Sequence, residues 1–431
     1  MIALGYDEGS LRVRTLALVI FSLALSICAS IIYYFDISQP LDDLILDYQQ
    51  RHSRASFAEA DTPLIYVAIE DLSYQDWPWP RLDYAMILEA MRPSYPRVIA
   101  FDIPFHGQDT FSQDFDAKFA RVLDRMRSVI LPATALQMKN YGSDPTNIIT
   151  IPFRGSARQI QQYNSTLWPL DTFSQRSNIG FSNITPAVNN TVRRLPLVFR
   201  YHSKLVPSWL LLCYSEFIGA DLQKSEVLPG QYIILRDAER NVLGELPLDQ
   251  KGRMLLRFYK IDPPITNYEF NDVILASQSP DPIAIAGVNM LGLRDKLVLI
   301  GRNAEGIFEP LNTPLEKNVP PVEINLQGLH NLLHQHYTST LPVHFLSILL
   351  FIIIFISTSL SFVFGWFRGT ILFIPFVITH TSSSFLMYEI QNLWIPSGLL
   401  TVTCLTAWMG GIILNFIFAR KHLKAQLELF D

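Results

Sequence analysis

The chain has 431 residues, 49% of them hydrophobic and 12% aromatic but only 17% charged, with a net charge of −5. That is too apolar and too poor in charge for an ordinary soluble protein, so part of it is expected in lipid. The mild acidity gives no electrostatic reason to bind nucleic acid or to lie flat on an anionic membrane surface.

Four segments meet the requirement of about 20 apolar residues for crossing a bilayer core of roughly 30 Å. They are residues 15–35, 343–366, 370–388 and 394–418. The apolar run of the first is longer than a signal-peptide core and ends without a small-x-small site, so it reads as a retained anchor. Arg12 and Arg14 precede it, Arg368 separates the second from the third, and Arg420, Lys421 and Lys424 follow the fourth; the turn Glu389–Leu393 has no cation. Cationic flanks stay on the cytoplasmic side during insertion. Residues 1–14 and 419–431 are therefore expected in the cytoplasm, and residues 36–342 outside it as one large domain. Of Cys28, Cys213 and Cys404 only Cys213 falls in that domain, which excludes a disulfide framework there and suits a bacterial envelope.

Within the external segment, Leu41, Leu44, Ile45 and Tyr48 share one helical face, and the spacing predicts a helix over Leu41–His52 leading out of the membrane. Leu64–Ile69, Arg97–Phe101 and Val129–Pro132 are short runs apolar at nearly every position, the pattern of strands buried on both faces. Tyr84, Ile87, Leu88 and Met91 form a helical stripe between the first two, and Phe115, Phe119, Val122 and Met126 form another before the third. Strand, helix, strand, helix, strand predicts a three-layer α/β unit with crossover connections and a mixed sheet. Gln137–Leu170 reads as a polar surface excursion. Further strands are predicted at Ile179–Asn183, Leu195–Tyr201, Tyr232–Leu235, Met254–Phe258 and Lys296–Ile300, and helices at Ser208–Ile218 and Val322–Gln335.

Several of these blocks, in this order, resemble the type-two CHASE domain, the second class of cyclase and histidine-kinase-associated sensory extracellular domains. They are PLIYVAIEDLSYQDWPWPR (Pro63–Arg81), RVIAFDIPF (Arg97–Phe105), RRLPLVFRY (Arg193–Tyr201), GRMLLRFY (Gly252–Tyr259) and DKLVLIGRNAEGIFEPLNTPL (Asp295–Leu315). The placement also matches, with one span before the domain and three close together after it. The last block, VEINLQGLHNLL (Val322–Leu333), departs from the family, whose members tend to have histidine near Asn325 and an acidic residue near His330. The resemblance implies a sensory module of the bacterial plasma membrane whose cytoplasmic output is a kinase, a cyclase or a similar domain. Residues 419–431 hold no such output, so it is expected after Asp431 or on a separate protein, with a second copy of this chain as a further partner.

Candidate site residues follow from the strand ends. Glu70, Asp71 and Asp102 end the first two strands, where open α/β sheets form ligand crevices. Arg81 closes the WPWPR loop and has the geometry to take a carboxylate or phosphate through two parallel hydrogen bonds; an internal Arg–carboxylate bridge is the competing reading. Trp77 and Trp79 read as a plug for the sheet end rather than a stacking platform. His330 and His334 have the HxxxH spacing of zinc proteases, but Asn331 replaces the general-base glutamate, which leaves at most a regulatory metal site. His336 is the third candidate for such a metal site, and solvated histidines near the membrane are the competing reading. Walker loops, dinucleotide fingerprints and nucleophile elbows are missing from the sequence, so neither catalysis nor a cofactor is expected. In the spans, Ser357, Ser361 and Gly365 form a small-residue stripe for close helix packing, and His380 is a polar group expected to face other helices. The leading expectation is a receptor for an unidentified extracytoplasmic ligand; an envelope-anchored metal-dependent hydrolase and a membrane scaffold are the alternatives.

Overall fold

In a computed structural model of the chain, residues 8–53, 62–70, 77–137, 148–187, 189–281, 283, 286–304 and 309–427 are described. The chain divides into two compact units, Met1–Arg54 with Ser339–Asp431, and Ala55–Thr338.

The second unit is built on strands whose alternate residues feed two different cores. Leu64, Tyr66 and Ala68 of β1 (Leu64–Ile69) pack on one face, and Ile65, Val67 and Ile69 on the other. Val98 and Ala100 of β2 (Val98–Asp102) join the first core, and Ile99 and Phe101 the second. Each fully buried aliphatic side chain contributes about 1.5 to 3 kcal/mol, which is why a run apolar on both faces commits to the centre of a sheet. The remaining strands are β3 (Val129–Leu136), β4 (Ser165–Leu167), β5 (Asn178–Phe181), β6 (Thr266–Glu269) and β7 (Leu297–Arg302). The sheet runs β6-β1-β7-β2-β3, with β5 parallel and β4 antiparallel to β3, and all other pairings parallel. The expected three-layer α/β unit is present with a mixed sheet.

One face carries the helices Arg81–Met91, Gln113–Leu123 and Phe270–Ser277 over an aromatic core of Tyr84, Phe101, Phe105, Phe119, Phe173 and Phe270. Ser112 caps the second of these by accepting the Asp114 N–H, at 3.3 Å. The other face carries Trp209–Ile218, capped by Ser208, and Pro321–Leu333, over a largely aliphatic core. The latter helix lies close on β7: a Cβ at Gly301 would fall 2.5 Å from Val322 Cγ2, so glycine is required there. Beyond this sheet, residues 162–163, 198–201 and 204–207 form a small sheet, 226–247 a three-stranded meander, and Arg194–Pro196 pairs with Arg253–Leu255.

Among the described residues, the first unit contains three helices long and apolar enough to cross a membrane: Arg12–Tyr34, Val343–Gln391 and Ser397–Lys424. Four were expected; the second and third expected segments fall within one assigned helix of 49 residues. A straight helix of that length would reach about 75 Å. It is interrupted at Gly365, whose φ of +74° is non-helical. Its ends also meet: the Ser339 N–H donates to the Asn392 carbonyl at 2.8 Å, and Ser339–Thr340 pairs with Leu393–Trp394. Gly369, beyond the break, lies against the backbone of Leu360 and Ser361 before it, so the two halves run back along each other. Gly365 is therefore the reversal point and not part of the expected packing stripe, because a residue at positive φ ends a right-handed helix.

Ser357 and Ser361 do pack as small residues against the last helix. Ser361 Oγ donates to the Trp408 carbonyl at 2.8 Å, and Gly411 leaves room for it. His380 is half-buried, and its Nε2 has no hydrogen-bond partner among the described residues.

The helix Gln39–His52 forms as expected but with its faces reversed. Leu41, Leu44 and Tyr48 are exposed, whereas Asp42, Asp43, Asp47, Gln49 and Gln50 are buried. Asp42 explains part of this: its Oδ1 accepts the Leu399 N–H at 3.0 Å, satisfying a donor in the first turn of the last helix, where a carboxylate is favoured.

Candidate functional site

The chain leaves β1 and β2 toward the aromatic face, through Arg81–Met91 and Gln113–Leu123, but leaves β7, which lies between them, toward the other face through Pro321–Leu333. Strand ends that diverge in this way open a crevice at the carboxyl edge of the sheet. Glu70, Arg302 and Asp102 stand at the three ends.

Asp102 Oδ2 accepts the side-chain amide of Asn325 at 3.0 Å, which ties β2 to the N-terminal half of the Pro321–Leu333 helix. Burial raises the Asp102 carboxyl above its ordinary range, and the Asn325 bond and the Arg302 charge oppose that only in part. The Tyr66 phenol is raised well beyond its ordinary value, first by burial and then by Asp102, Glu70, Glu323 and Glu269; its O–H donates to the Gly301 carbonyl at 3.4 Å. Glu323 is likewise raised, by burial, Glu316 and Glu70. Glu70 is exposed and accepts from Asn267 Nδ2 at 3.4 Å. The edge is thus predominantly acidic, with the Arg302 guanidinium over the Trp77 ring, 5.1 Å from its centroid.

Of the expected residues, Glu70 and Asp102 share this edge and Asp71 lies outside the described residues. Arg81 does not belong to it. It is 6% exposed, with its guanidinium over Phe105, 3.9 Å from Asp116 and donating to the His106 carbonyl at 3.4 Å, while its backbone N–H donates to Asp109 at 2.6 Å. The expected ligand-clasping role is replaced by the internal bridge, because Asp109 and Asp116 approach Arg81 from the next crossover. Trp79 is 4% exposed and meets Phe270 edge-on at 5.2 Å, a core position. Sequence reasoning missed Arg302 and Asn325. The rule that picked Glu70 and Asp102 also picks Arg302, the last residue of β7; Asn325 stands out in the sequence only as a departure from the family pattern, not as a site residue.

His330 and His334 are close together, but His330 Nδ1 meets Tyr259 and His334 Nε2 meets Thr62. Among the described residues no group of three or more His, Cys, Asp and Glu is arranged to hold a metal ion. Elsewhere, a groove of about 670 Å³ between the helices of the aromatic face has an apolar floor of Ala85, Met86 and Met290, with Lys118, Arg121 and Arg125 on its rim.

An α/β domain in a chain whose other unit holds apolar helices of membrane-spanning length marks a membrane protein with a separate folded domain. The chain belongs to the CHASE2 domain family, whose model matches residues 17–361. CHASE2 domains are sensory extracellular domains rather than catalytic ones. No curated protein and no solved structure matches the chain.

Proposed function

We propose that this chain is a bacterial plasma-membrane receptor whose CHASE2 domain faces outward, binds its stimulus through the sensor fold, and passes the signal through the membrane helices to a cytoplasmic output. Family membership over residues 17–361 carries the reading, since it joins a sensory domain to the helices that flank it. The membrane is crossed four times, Val343–Gln391 contributing two passes about Gly365; the bond between Ser339 and Asn392 supports this by placing both ends of that helix at one level. The opposite level supports cytoplasmic termini: the Arg14 guanidinium lies over Phe362 and Phe418, at 5.0 and 5.7 Å, close in sequence to Arg368 and to Arg420. All the basic flanks then share one side, as cationic retention in the cytoplasm requires. The crevice of Glu70, Asp102, Arg302 and Asn325 is the polar end of the sensor, and a second copy or a separate output protein receives the signal.

Orientation is the step on which the rest depends. Glu239→Cys places a thiol on the exposed turn of the 226–247 meander, while Cys213 and Cys404 are buried. A membrane-impermeant maleimide should label this variant, above the unsubstituted chain, in intact spheroplasts. Labelling that appears only after lysis overturns the receptor reading.

A further inference from the structure

The end of the Pro321–Leu333 helix brings three imidazoles together. Ring centroids of His330 and His334 are 4.3 Å apart, those of His334 and His336 5.9 Å, and those of His330 and His336 6.4 Å. Helical spacing accounts for the first pair only. His336 is turned back because Gln335 adopts a φ of +56° and the His336 N–H bonds to the Asn331 carbonyl at 2.9 Å.

Opposite them stands the segment that follows the Arg253–Leu255 strand. The Tyr259 hydroxyl is 2.8 Å from His330 Nδ1 and 3.2 Å from His336 Nδ1, and it accepts from Asn331 Nδ2 at 3.4 Å. Asn331 also clasps the Arg257 backbone, accepting its N–H at 2.8 Å and donating to its carbonyl at 3.1 Å. Thr338 N–H donates to the Leu255 carbonyl at 3.3 Å. His334 Nε2 is 3.3 Å from Thr62 Oγ1, and the Thr62 carbonyl takes Lys296 Nζ at 3.2 Å. Among the described residues, the charged and titratable groups facing the rings include Arg257 and Tyr259 on one side, Lys296 behind Thr62 on another, and the histidines themselves. Tyr337 bonds away, to the Glu245 carbonyl at 3.0 Å.

A phenol has one proton to give and two lone pairs. With Asn331 donating to its oxygen, Tyr259 satisfies both rings when one Nδ1 accepts its proton and the other donates, which requires neutral imidazoles in different tautomers. A proton added to the accepting ring turns its Nδ1 into a donor. Three N–H groups then converge on one oxygen, which has only two lone pairs, the ring no longer accepts the phenol proton, and the new charge lies near Arg257.

We propose that His330, His334, His336 and Tyr259 form a proton-binding site and that the proton is a stimulus of this domain, its uptake breaking the Tyr259 bridge and releasing residues 331–338 from the Arg257–Tyr259 segment. By sequence those residues lead directly to Val343 and the membrane helices. The inference rests on the receptor reading for its direction, outside to inside.

The site is neutral at pH 7. Burial, with His336 acting on it, holds His330 down to about 4; burial, with His334 and Arg257, holds His336 down to about 4; and burial lowers His334. In the released form the rings return to about 6.5, so that form binds more protons and acid favours it. For one ring taking up its proton, with its value moving from about 4 to about 6.5, opening should rise on the order of 10- to 100-fold between pH 7.5 and 4.5.

Hydrogen exchange on the full chain in lipid nanodiscs, corrected for the intrinsic effect of pH, tests this. Peptides covering 253–260 and 328–340 should lose protection by that factor at pH 4.5, while β1 and β7 keep theirs. The double variant His330→Gln, His336→Gln should lose the pH response. Tyr259→Phe should exchange faster already at pH 7.5 and respond less to acid, with β1 protection showing that the domain is folded. A wild-type chain without the response, a double variant that retains it, or a response altered by EDTA overturns the proton site. These outcomes are separable from the orientation test. Cysteine labelling from outside with no acid response removes the proton and keeps the receptor; an acid response with labelling only after lysis does the reverse.

Discussion

In its N-terminal half the Pro321–Leu333 helix reaches β2 through Asn325, which donates to Asp102; at its last turn it reaches the Arg257–Tyr259 segment through Asn331 and His330. Both ends use a buried asparagine and a titratable partner, but protonation affects them differently. A protonated Asp102 still offers an oxygen to the Asn325 amide, so that contact survives acid. A protonated His330 no longer accepts from Tyr259, so that one does not. The signs of the pH dependence also oppose. Asp102 is raised in the fold, so the folded state holds its proton longer and its contribution falls as pH rises from about 4. His330 is lowered to about 4, so its contribution is complete above about 6.5 and is lost as pH falls toward 4. One helix is thus anchored firmly at the crevice and conditionally at the end nearer in sequence to the membrane helices.

The comparison is most exposed to failure at Asn331, which is 0% exposed and closes two bonds to the Arg257 backbone. Asn331→Leu removes both; the Arg257 carbonyl keeps the Gln327 side-chain amide at 3.1 Å, but the buried Arg257 N–H loses its Asn331 acceptor, at about 1 to 3 kcal/mol. The thermal midpoint of the solubilised full chain, followed by fluorescence of buried Trp209, should drop by several degrees at pH 7.5. A midpoint unchanged within a degree would show that this end of the helix is not fastened as described.

At the other end the expected effect is smaller and depends on pH in a way that sharpens the contrast. Asn325→Ala removes one bond to a carboxylate, worth about 1.5 to 3 kcal/mol while Asp102 is ionised. Its cost should shrink at pH 5, where more of the raised Asp102 is protonated and the lost bond is an ordinary one. Thermal midpoints of the variant and the parent at pH 8 and pH 5 should therefore converge in acid. Divergence in acid would mean that Asp102 is not held above its usual range.

Much of this architecture is legible in the sequence. Leu64–Ile69 and Lys296–Ile300 announce strands because their residues are apolar at nearly every position, and the apolar segments of the membrane unit announce themselves by length. What is not legible depends on contacts distant in sequence. Thr266–Glu269 is a polar edge strand that pairs with β1, its partner among the described residues, and no apolar run marks it. Arg81 closes a loop whose sequence favours an exposed cation, and only the return of the chain at Asp109 and Asp116 shows it to be internal. Gly365 reads as one small residue among others until its positive φ identifies the reversal. His336 falls off the helical repeat that links His330 and His334, and a left-handed Gln335 brings it back.

The smallest effect separates the three imidazoles from one another. His334 is half-buried, and its Nε2 meets the Thr62 hydroxyl at 3.3 Å, a contact outside the Tyr259 bridge. Thr62→Val keeps the shape of that side chain and removes the hydroxyl, at a cost of about 0.5 to 1.5 kcal/mol for one hydrogen bond. If His330 and His336 carry the conditional anchor, this variant should lower the thermal midpoint by a few degrees or less at every pH and leave the acid response of residues 331–338 in place. If the acid response disappears with the Thr62 hydroxyl, His334 is the ring that takes up the proton, and the fastening at this end of the helix runs to the residues before β1 rather than to Tyr259.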